Sequence, residues 1–229
     1  MIDIHTHILP GIDDGAKDKD EALVMAENLF LQGIITVICT PHFNPARMSM
    51  DTFLANRKSA FNLISEAKVN LIEGSETYLH EYLFHYNDLS ELCAGKTNYL
   101  LLELPFDKKW PAFVLPSIEK LRYYYDIIPI IAHVERYPQI TKNIKILKYL
   151  KDLGCLIQMN ADTITSKKYK HLVTTYLKYD YVDVLGSDCH NMMSRPPLIS
   201  GAKEEIIQKF GTDKWSRLCE NSKLIAGMK

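Results

Sequence analysis

The sequence predicts an α/β protein, a closed seven-stranded relative of the TIM barrel. Three observations carry that expectation. Seven short β-branched or Leu-rich runs alternate with amphipathic stretches of i, i+3, i+4 apolar spacing. The runs are apolar on both faces, as strands of a parallel sheet covered by helices all round must be. The first run leads into His5-Thr6-His7, not into the Gly-rich phosphate turn that an open doubly wound sheet offers there.

The elements follow in chain order. A strand over residues 2–4 precedes a helix over 21–31, and a second strand, 34–39, starts after Gly33 and leads into the helix 53–67. A third strand, 69–73, stops at Gly74 and is followed by a stretch, 78–93, that also reads as helical. Strand 99–103 starts after Asn98 and leads into the helix 114–125, and strand 127–132 starts after Asp126 and leads into the helix 144–153. Strand 155–159 lies between Gly154 and Asn160 and precedes the helix 169–179; strand 181–185 lies between Asp180 and Gly186 and precedes a final helical pair from residue 202 onward. Repetition of this unit implies right-handed parallel crossovers. With no internal repeat, low-complexity stretch or Gly/Ser linker, residues 1–229 read as a single domain.

Composition narrows the class of function. At 47% hydrophobic and 24% charged over 229 residues, the chain can bury on the order of 70% of its unfolded surface and needs no metal to hold a core together. Its formal net charge of -1 supplies no long-range field for phosphate backbones or acidic membranes, so nucleic acid is not an expected partner. The longest apolar runs fall far short of the roughly 20 residues of a membrane span, and the N-terminus lacks a basic-then-apolar signal layout. Five Cys without a C-x-x-C pair suit a reducing compartment. A cytoplasmic protein without membrane insertion is the expectation.

The chemistry lies at the strand ends. His5 and His7 follow the first strand, Thr40-Pro41-His42 the second, Gly74-Ser75-Glu76 the third, Glu103 closes the fourth, Ala132-His133 follows the fifth, and Ser187-Asp188-Cys189-His190 follows the seventh. A lone His-x-His is weak and any single His is more often structural; six of seven strand ends bearing His, Asp or Glu is a different matter. In parallel α/β barrels those ends converge on one face and form the active site. Mixed imidazole and carboxylate donors suit Mn, Fe, Zn or Co, and with Asp13 and Asp14 on the first loop there are more donors than one ion can use. Two or three divalent ions would clamp an in-line displacement at phosphorus and lower the pKa of water enough to supply hydroxide at neutral pH. Arg136 and Arg195, on loops at the same face, have the forked geometry that holds phosphate oxygens.

Together, Ile4-His5-Thr6-His7, Asp13-Asp14-Gly15, Thr40-Pro41-His42, Glu76, Leu102-Glu103, Ile131-Ala132-His133-Val134-Glu135-Arg136 and Gly186-Ser187-Asp188-Cys189-His190-Asn191 resemble the polymerase and histidinol phosphatase (PHP) superfamily. Within it they are most similar to the metal-dependent bacterial protein-tyrosine phosphatases of capsule and exopolysaccharide operons. The resemblance implies a distorted TIM-like (β/α)7 barrel, the PHP fold, with a trinuclear and usually manganese-loaded centre. His5, His7, Glu76 and Asp188 would hold the first ion, Glu76 would bridge to a second held with Glu103 and His133, and Asp14, His42 and His190 would hold the third. Arg136 and Arg195 would bind the phosphate. The implied substrate is a phosphotyrosine protein, a cognate bacterial tyrosine kinase that regulates polysaccharide export. Many relatives carry a second His after the one matching His42; here that position is Phe43.

Other readings use the same residues. Cys189 and Arg195 have the Cys-x5-Arg spacing of thiolate tyrosine phosphatases, but the intervening residues include no Gly to curl the backbone round an anion, and Asp188 opposes a thiolate. A small phosphomonoester such as histidinol phosphate is the alternative substrate, and a metal-stabilised interaction module the non-enzymatic alternative. His80, His85 and His171 read as surface residues, Tyr123-Tyr124-Tyr125 as one packed ring and two at the rim, and Phe106 and Trp110 as either core or border of the active-site mouth.

Overall fold

The structure is a computed structural model that describes residues 1–228; Lys229, the last residue of the expected domain, lies outside them. Its strands are β1 (Ile2–Thr6), β2 (Thr36–Cys39), β3 (His42–Phe43), β4 (Asn70–Glu73), β5 (Glu76–Tyr78), β6 (Tyr99–Glu103), β7 (Ile128–Ile131), β8 (Leu156–Asn160) and β9 (Val184–Gly186). All pairs are parallel, in the orders β1-β2-β4 and β3-β5-β6-β7-β8-β9. β2 and β3 form one course interrupted at Thr40-Pro41, where Pro41 offers no N–H, and β4 and β5 form another interrupted at Gly74-Ser75. The segments therefore trace seven courses, as the alternation predicts. The last course meets the first through a parallel bridge between Thr6 and Cys189, with the Asp188 N–H donating to His5 O at 2.8 Å and the His7 N–H to Cys189 O at 2.9 Å. The result is a distorted (β/α)7 barrel whose longest ladder is a curled six-stranded parallel sheet.

The helices are α1 (Lys19–Leu31), α2 (Met50–Leu63), α3 (Val114–Tyr123), α4 (Pro138–Thr141), α5 (Ile144–Asp152), α6 (Ala161–Thr165), α7 (Lys170–Lys178), α8 (Ile199–Phe210) and α9 (Thr212–Ile225). Side-chain caps set where α1 and α2 begin. Asp18 accepts the Glu21 N–H at 2.9 Å and Ser49 the Thr52 N–H at 3.2 Å, so α2 starts three residues before the apolar periodicity suggests. The expected helix over 78–93 does not form. Tyr78 belongs to β5, and the remainder holds two single-turn 3-10 helices, Glu81–His85 and Ser90–Leu92. Here His80 Nδ1 accepts the Tyr82 N–H at 3.2 Å and Asp88 the Ser90 N–H at 2.8 Å, local bonds that compete with a continuous helical ladder. Among the described residues, no helix is long and apolar enough to cross a membrane.

Two apolar layers result. Ile2, Ile4, Ile38, Leu101, Ile130 and Val184 meet inside the ring, with Ile225 of α9 packed against them. Their strand neighbours Val37, Leu100, Leu102, Ile131, Ile157 and Leu185 face outward into the larger cluster beneath the helices. This alternation makes the even residues of β2, β7, β8 and β9 and the odd ones of β6 inward. On β8 the inward residues are Leu156, which packs on the inner cluster, and Gln158 and Asn160, both buried.

Candidate metal centre

Local backbone irregularities aim the side chains. Along β1 the register with β2 moves from Asp3↔Val37 to Thr6↔Cys39, so three steps on one strand match two on the other. This bulge lets His5 follow Ile4 into the interior, and His7 then falls on the same face; unbroken alternation would send both outward with Asp3. His42 and Glu76 are direct cross-strand partners on β3 and β5, and Glu103 ends β6 two residues beyond the Leu101 that pairs with Glu76. His133 would follow Ile131 outward, but its φ of 33° turns it in; Asp188 likewise has φ 53°. Left-handed non-glycine residues are costly and persist where the surrounding structure imposes them.

The nine predicted donors form one cluster. His5 Nε2 lies 3.2 Å from His7 Nε2, and both lie within 3.5 Å of Glu76 Oε2 and Asp188 Oδ1. His133 Nε2 is 2.9 Å from Glu76 Oε1 and 3.5 Å from Glu103 Oε1. Asp14 Oδ1 is 3.3 Å from His42 Nε2 and 3.4 Å from His190 Nε2. Three groups bring one donor atom each within 4.8 Å of one another: His7, Asp14, His42 and His190; His5, His7 and Glu76; and His42, Glu76 and Glu103. These overlap the sets implied by resemblance, adding His7 to the third and His42 to the second but leaving Asp188 out of the first and His133 out of the second.

Asp13, counted with Asp14 among the candidate donors, instead orients them, as do three residues without a sequence signal, Gln158, Asn160 and Asp3. Asp13 Oδ2 accepts from His7 Nδ1 at 2.8 Å and from the His42 backbone N–H at 2.9 Å, which leaves His7 Nε2 to face the cluster. Gln158 Oε1 accepts the His133 backbone N–H at 2.5 Å and lies 3.4 Å from His5 Nδ1. Gln158 Nε2 donates to Asn160 Oδ1 at 2.9 Å, and Asn160 Nδ2 donates to Asp188 Oδ2 at 2.7 Å. β8 is the strand whose end carries no acid or imidazole, and it supplies amides. Asp3 Oδ1 accepts the N–H groups of Ser187 at 2.9 Å and His5 at 3.3 Å; burial pushes its carboxyl up to about 6.

The cluster has the electrostatics of a cation site. Glu76 Oε2 is buried without a hydrogen bond, although nitrogens of His5, His7 and His42 stand 3.0 to 3.4 Å from it, and His190 Nε2 is likewise buried and unbonded. Buried donor atoms left unbonded amid a crowd of others suit a shared cation. Burial opposes a charged His7, yet the carboxylates of Asp13 and Glu76 outweigh it and hold the imidazolium at about 10; Glu103 and Glu76 hold His133 at about 9 in the same way. The protein's own protons thus stand where positive charge is wanted. The nitrogen and oxygen donors are of the kind that binds divalent ions such as Mn, Fe, Zn or Co.

Arg136 and Arg195 reach the same point. Each places Nη2 2.7 Å from Asp188 Oδ2, the oxygen that Asn160 also bonds, while Asp188 Oδ1 faces the histidines. Both arginine side chains are about one third exposed, 37% and 34%, and so stand between the cluster and solvent. An open cleft of about 640 Å³ borders the site, lined by Asp14, His42, Tyr78 and Glu103, and by Arg47, a third cation with no sequence signal to separate it from a solvated arginine.

Several competing assignments are decided by position. Cys189 is fully buried, and burial pushes its thiol far above the ordinary range, so it offers no thiolate for a nucleophilic loop. Phe43 is buried with its ring 4.9 Å from Phe53 of α2, a packing position. His85 and His171 are exposed, and His80 caps a turn. Tyr125 is partly buried and donates to Tyr86 O at 2.8 Å, with Tyr123 and Tyr124 exposed. Phe106 is 53% exposed and stacks on His133 and Tyr137 at centroid distances of 5.7 and 5.3 Å.

Comparison with known proteins agrees with this geometry. Residues 1–226 match the family described as capsular polysaccharide synthesis, CpsB/CapC. The chain is 31% identical over 244 residues to the tyrosine-protein phosphatase YwqE of Bacillus subtilis, covering 98% of this chain and 91% of that protein. It is 29% identical over 235 residues to the tyrosine-protein phosphatase CpsB of Streptococcus pneumoniae, covering 95% and 94%. A crystal structure from work on YwqE and CpsB, described as unique metal-dependent tyrosine phosphatases, superposes with a TM-score of 0.84 at 29% identity, covering 99% of this chain and 94% of that one.

Proposed function

The chain belongs to the CpsB/CapC family of capsular polysaccharide synthesis proteins, and on that premise we propose that it is a metal-dependent protein-tyrosine phosphatase acting in capsule or exopolysaccharide regulation. The observation that supports this most is the cluster of nine imidazole and carboxylate donors, linked by contacts of 2.9 to 3.5 Å, beneath two guanidiniums that share Asp188 Oδ2. Its substrate is a tyrosine-phosphorylated protein, a bacterial tyrosine kinase, met in the cytoplasm by a single domain over 1–229.

The centre takes two to three divalent ions, manganese foremost. His5, His7, Glu76 and Asp188 hold the first; Glu76, Glu103 and His133 the second; Asp14, His42 and His190 the third. When bound, such ions activate water and neutralise charge on phosphoryl oxygens. Arg136 and Arg195 turn from Asp188 to the equatorial oxygens and fix phosphorus in line, and Asn160 keeps its bond to Asp188 as they do so. Asp13 and Gln158 hold His7 and His5 with Nε2 toward the cluster. A tyrosyl phenol, with a pKa of about 10, leaves more readily than an alkyl alcohol and needs less help from a general acid.

The test is a panel on Mn-loaded protein: a phosphotyrosine peptide, a phosphoserine peptide, histidinol phosphate and an aryl phosphodiester. Preference for the phosphotyrosine peptide, lost with chelator and restored by Mn, is the expected result. Preference for histidinol phosphate overturns the substrate assignment, and full activity in verified metal-free protein overturns the metal dependence.

A further inference from the structure

Beside the metal centre lies an apolar groove of about 520 Å³ that neither the cluster nor the arginines use. It runs between the segment after β6, which follows directly on Glu103, and the segment after β7, which carries Arg136. Trp110, Leu115, Pro138 and Ile146 supply its apolar walls, Lys108 and Lys109 stand on its edge, and no acidic residue lines it. The walls are held in place from below. Trp110 Nε1 donates to Pro105 O at 3.0 Å, its ring meets Tyr137 edge-on at 6.1 Å, and Gln139 Nε2 donates to Asp107 O across the two segments.

Phe106 joins this groove to the reaction centre. One part of its ring stacks on His133 and Tyr137, nearly parallel to both at 22° and 21°, and more than half of the side chain is open to solvent. Because Phe106 stacks on His133, a donor of the cluster, a phosphotyrosine ring laid on its exposed part would sit beside the centre; phosphoserine has no ring to place there. Lys108, Lys109 and Trp110 of the groove follow Phe106 within four residues, and Trp110 and Phe106 both pack on Tyr137.

Resting on the phosphotyrosine reading above, we propose that Phe106 and the adjoining groove form the docking surface for the substrate polypeptide, taking the phosphotyrosine ring on Phe106, an apolar neighbour against Trp110 and Leu115, and acidic or phosphorylated residues at Lys108 and Lys109. The occupant follows from continuity with the centre and from charge. Two lysines outnumber Asp107, the acid next to them in the chain, so the edge favours an anionic segment, and an apolar floor desolvated by the peptide strengthens that attraction.

Trp110 is a native reporter, since the chain has only two tryptophans and Trp215 lies on α9. In Mn-loaded Trp215→Phe protein, a non-hydrolysable phosphonate analogue of an acidic phosphotyrosine peptide is expected to shift Trp110 emission, whereas inorganic phosphate is not. In parallel, kcat/KM for phosphotyrosine peptides with acidic and neutral flanks is compared in the wild-type chain and in the Lys108→Glu/Lys109→Glu double variant. The wild-type preference for the acidic peptide is expected to be about fivefold and to vanish or reverse in the variant. Phe106→Ala is expected to raise KM for both peptides more than it lowers kcat. Hydrolysis of both peptides with no flank preference and no Trp110 shift overturns the docking surface while leaving the phosphatase reading intact. Failure to hydrolyse any phosphotyrosine substrate while another phosphate ester in the panel is turned over defeats the phosphatase reading itself. A protein whose Trp110 signal depends on its own concentration and not on peptide assigns the groove to a second copy of the chain and overturns the proposal.

Discussion

Gln158 Oε1 accepts the backbone N–H of His133 at 2.5 Å, and through that bond a neutral amide on β8 holds His133, two residues past β7, in its left-handed, inward conformation. The same oxygen stands 3.4 Å from His5 Nδ1. Gln158→Leu keeps the volume but removes the acceptor. A buried N–H left unpartnered costs about 1–3 kcal/mol, and loss of an outer-shell orienting group typically weakens metal binding by about 10–100-fold. Thermal denaturation and Mn titration by calorimetry check both; unchanged Mn affinity contradicts the orienting role.

Metal binding is expected to release protons. In the metal-free protein His7 is held at about 10 and His133 at about 9, so below pH 9 each carries a proton that a ligating nitrogen must give up. At pH 7.5 about two protons leave as Mn enters, and apparent affinity rises with pH until those groups have titrated. Calorimetry in buffers of different ionisation enthalpy measures the number directly; a buffer-independent enthalpy refutes it.

Arg136→Ala and Arg195→Ala each remove one of three donors to Asp188 Oδ2, leaving Asn160 and the other arginine in place. Mn binding therefore survives. Because a guanidinium fork matches phosphate oxygens and an ammonium does not, kcat/KM on a phosphotyrosine peptide falls by roughly 10–100-fold with alanine, and lysine restores little of it. Steady-state kinetics on Mn-saturated variants separates this from a merely structural effect, which would lower Mn affinity as well.

Cys189→Ser is expected to keep its activity. The thiol is buried on the outward side of the turn, beneath the Thr6–Cys189 bridge, and its ionisation is suppressed by burial. The hydroxyl costs about 1–2 kcal/mol of stability in that apolar position, seen as a lower Tm. Abolished turnover in a folded, Mn-loaded Cys189→Ser protein would restore the thiolate mechanism.

Much of the centre was legible because its donors are chemically distinctive and sit where strands end. His5, His7, His42, His133 and His190 separate from His80, His85 and His171 on that ground alone, as do Glu76, Glu103 and Asp188 among the many acids of the chain. Gln158 and Asn160 were not legible, since a buried amide in a strand carries no signal until its partners are in place. The helix expected over 78–93 failed for a related reason: His80 and Asp88 bond nearby backbone N–H groups, and those short-range bonds are invisible to apolar periodicity.

The sequence by itself determined the alternation of strand and helix and an inventory of ten candidate donors, Asp13 among them, because hydrophobic period and side-chain chemistry are local properties of a chain; the family resemblance narrowed that inventory to nine. Only the tertiary structure decided which way those donors point. The register slip in β1 and the left-handed backbones of His133 and Asp188 turn them inward. Those irregularities sit amid long-range contacts, the Thr6–Cys189 bridge, the Gln158 amide and the Asp3 carboxylate, which join residues more than 20 positions apart. A strand alone has no reason to break its alternation; a ring that must close round a shared set of charges does.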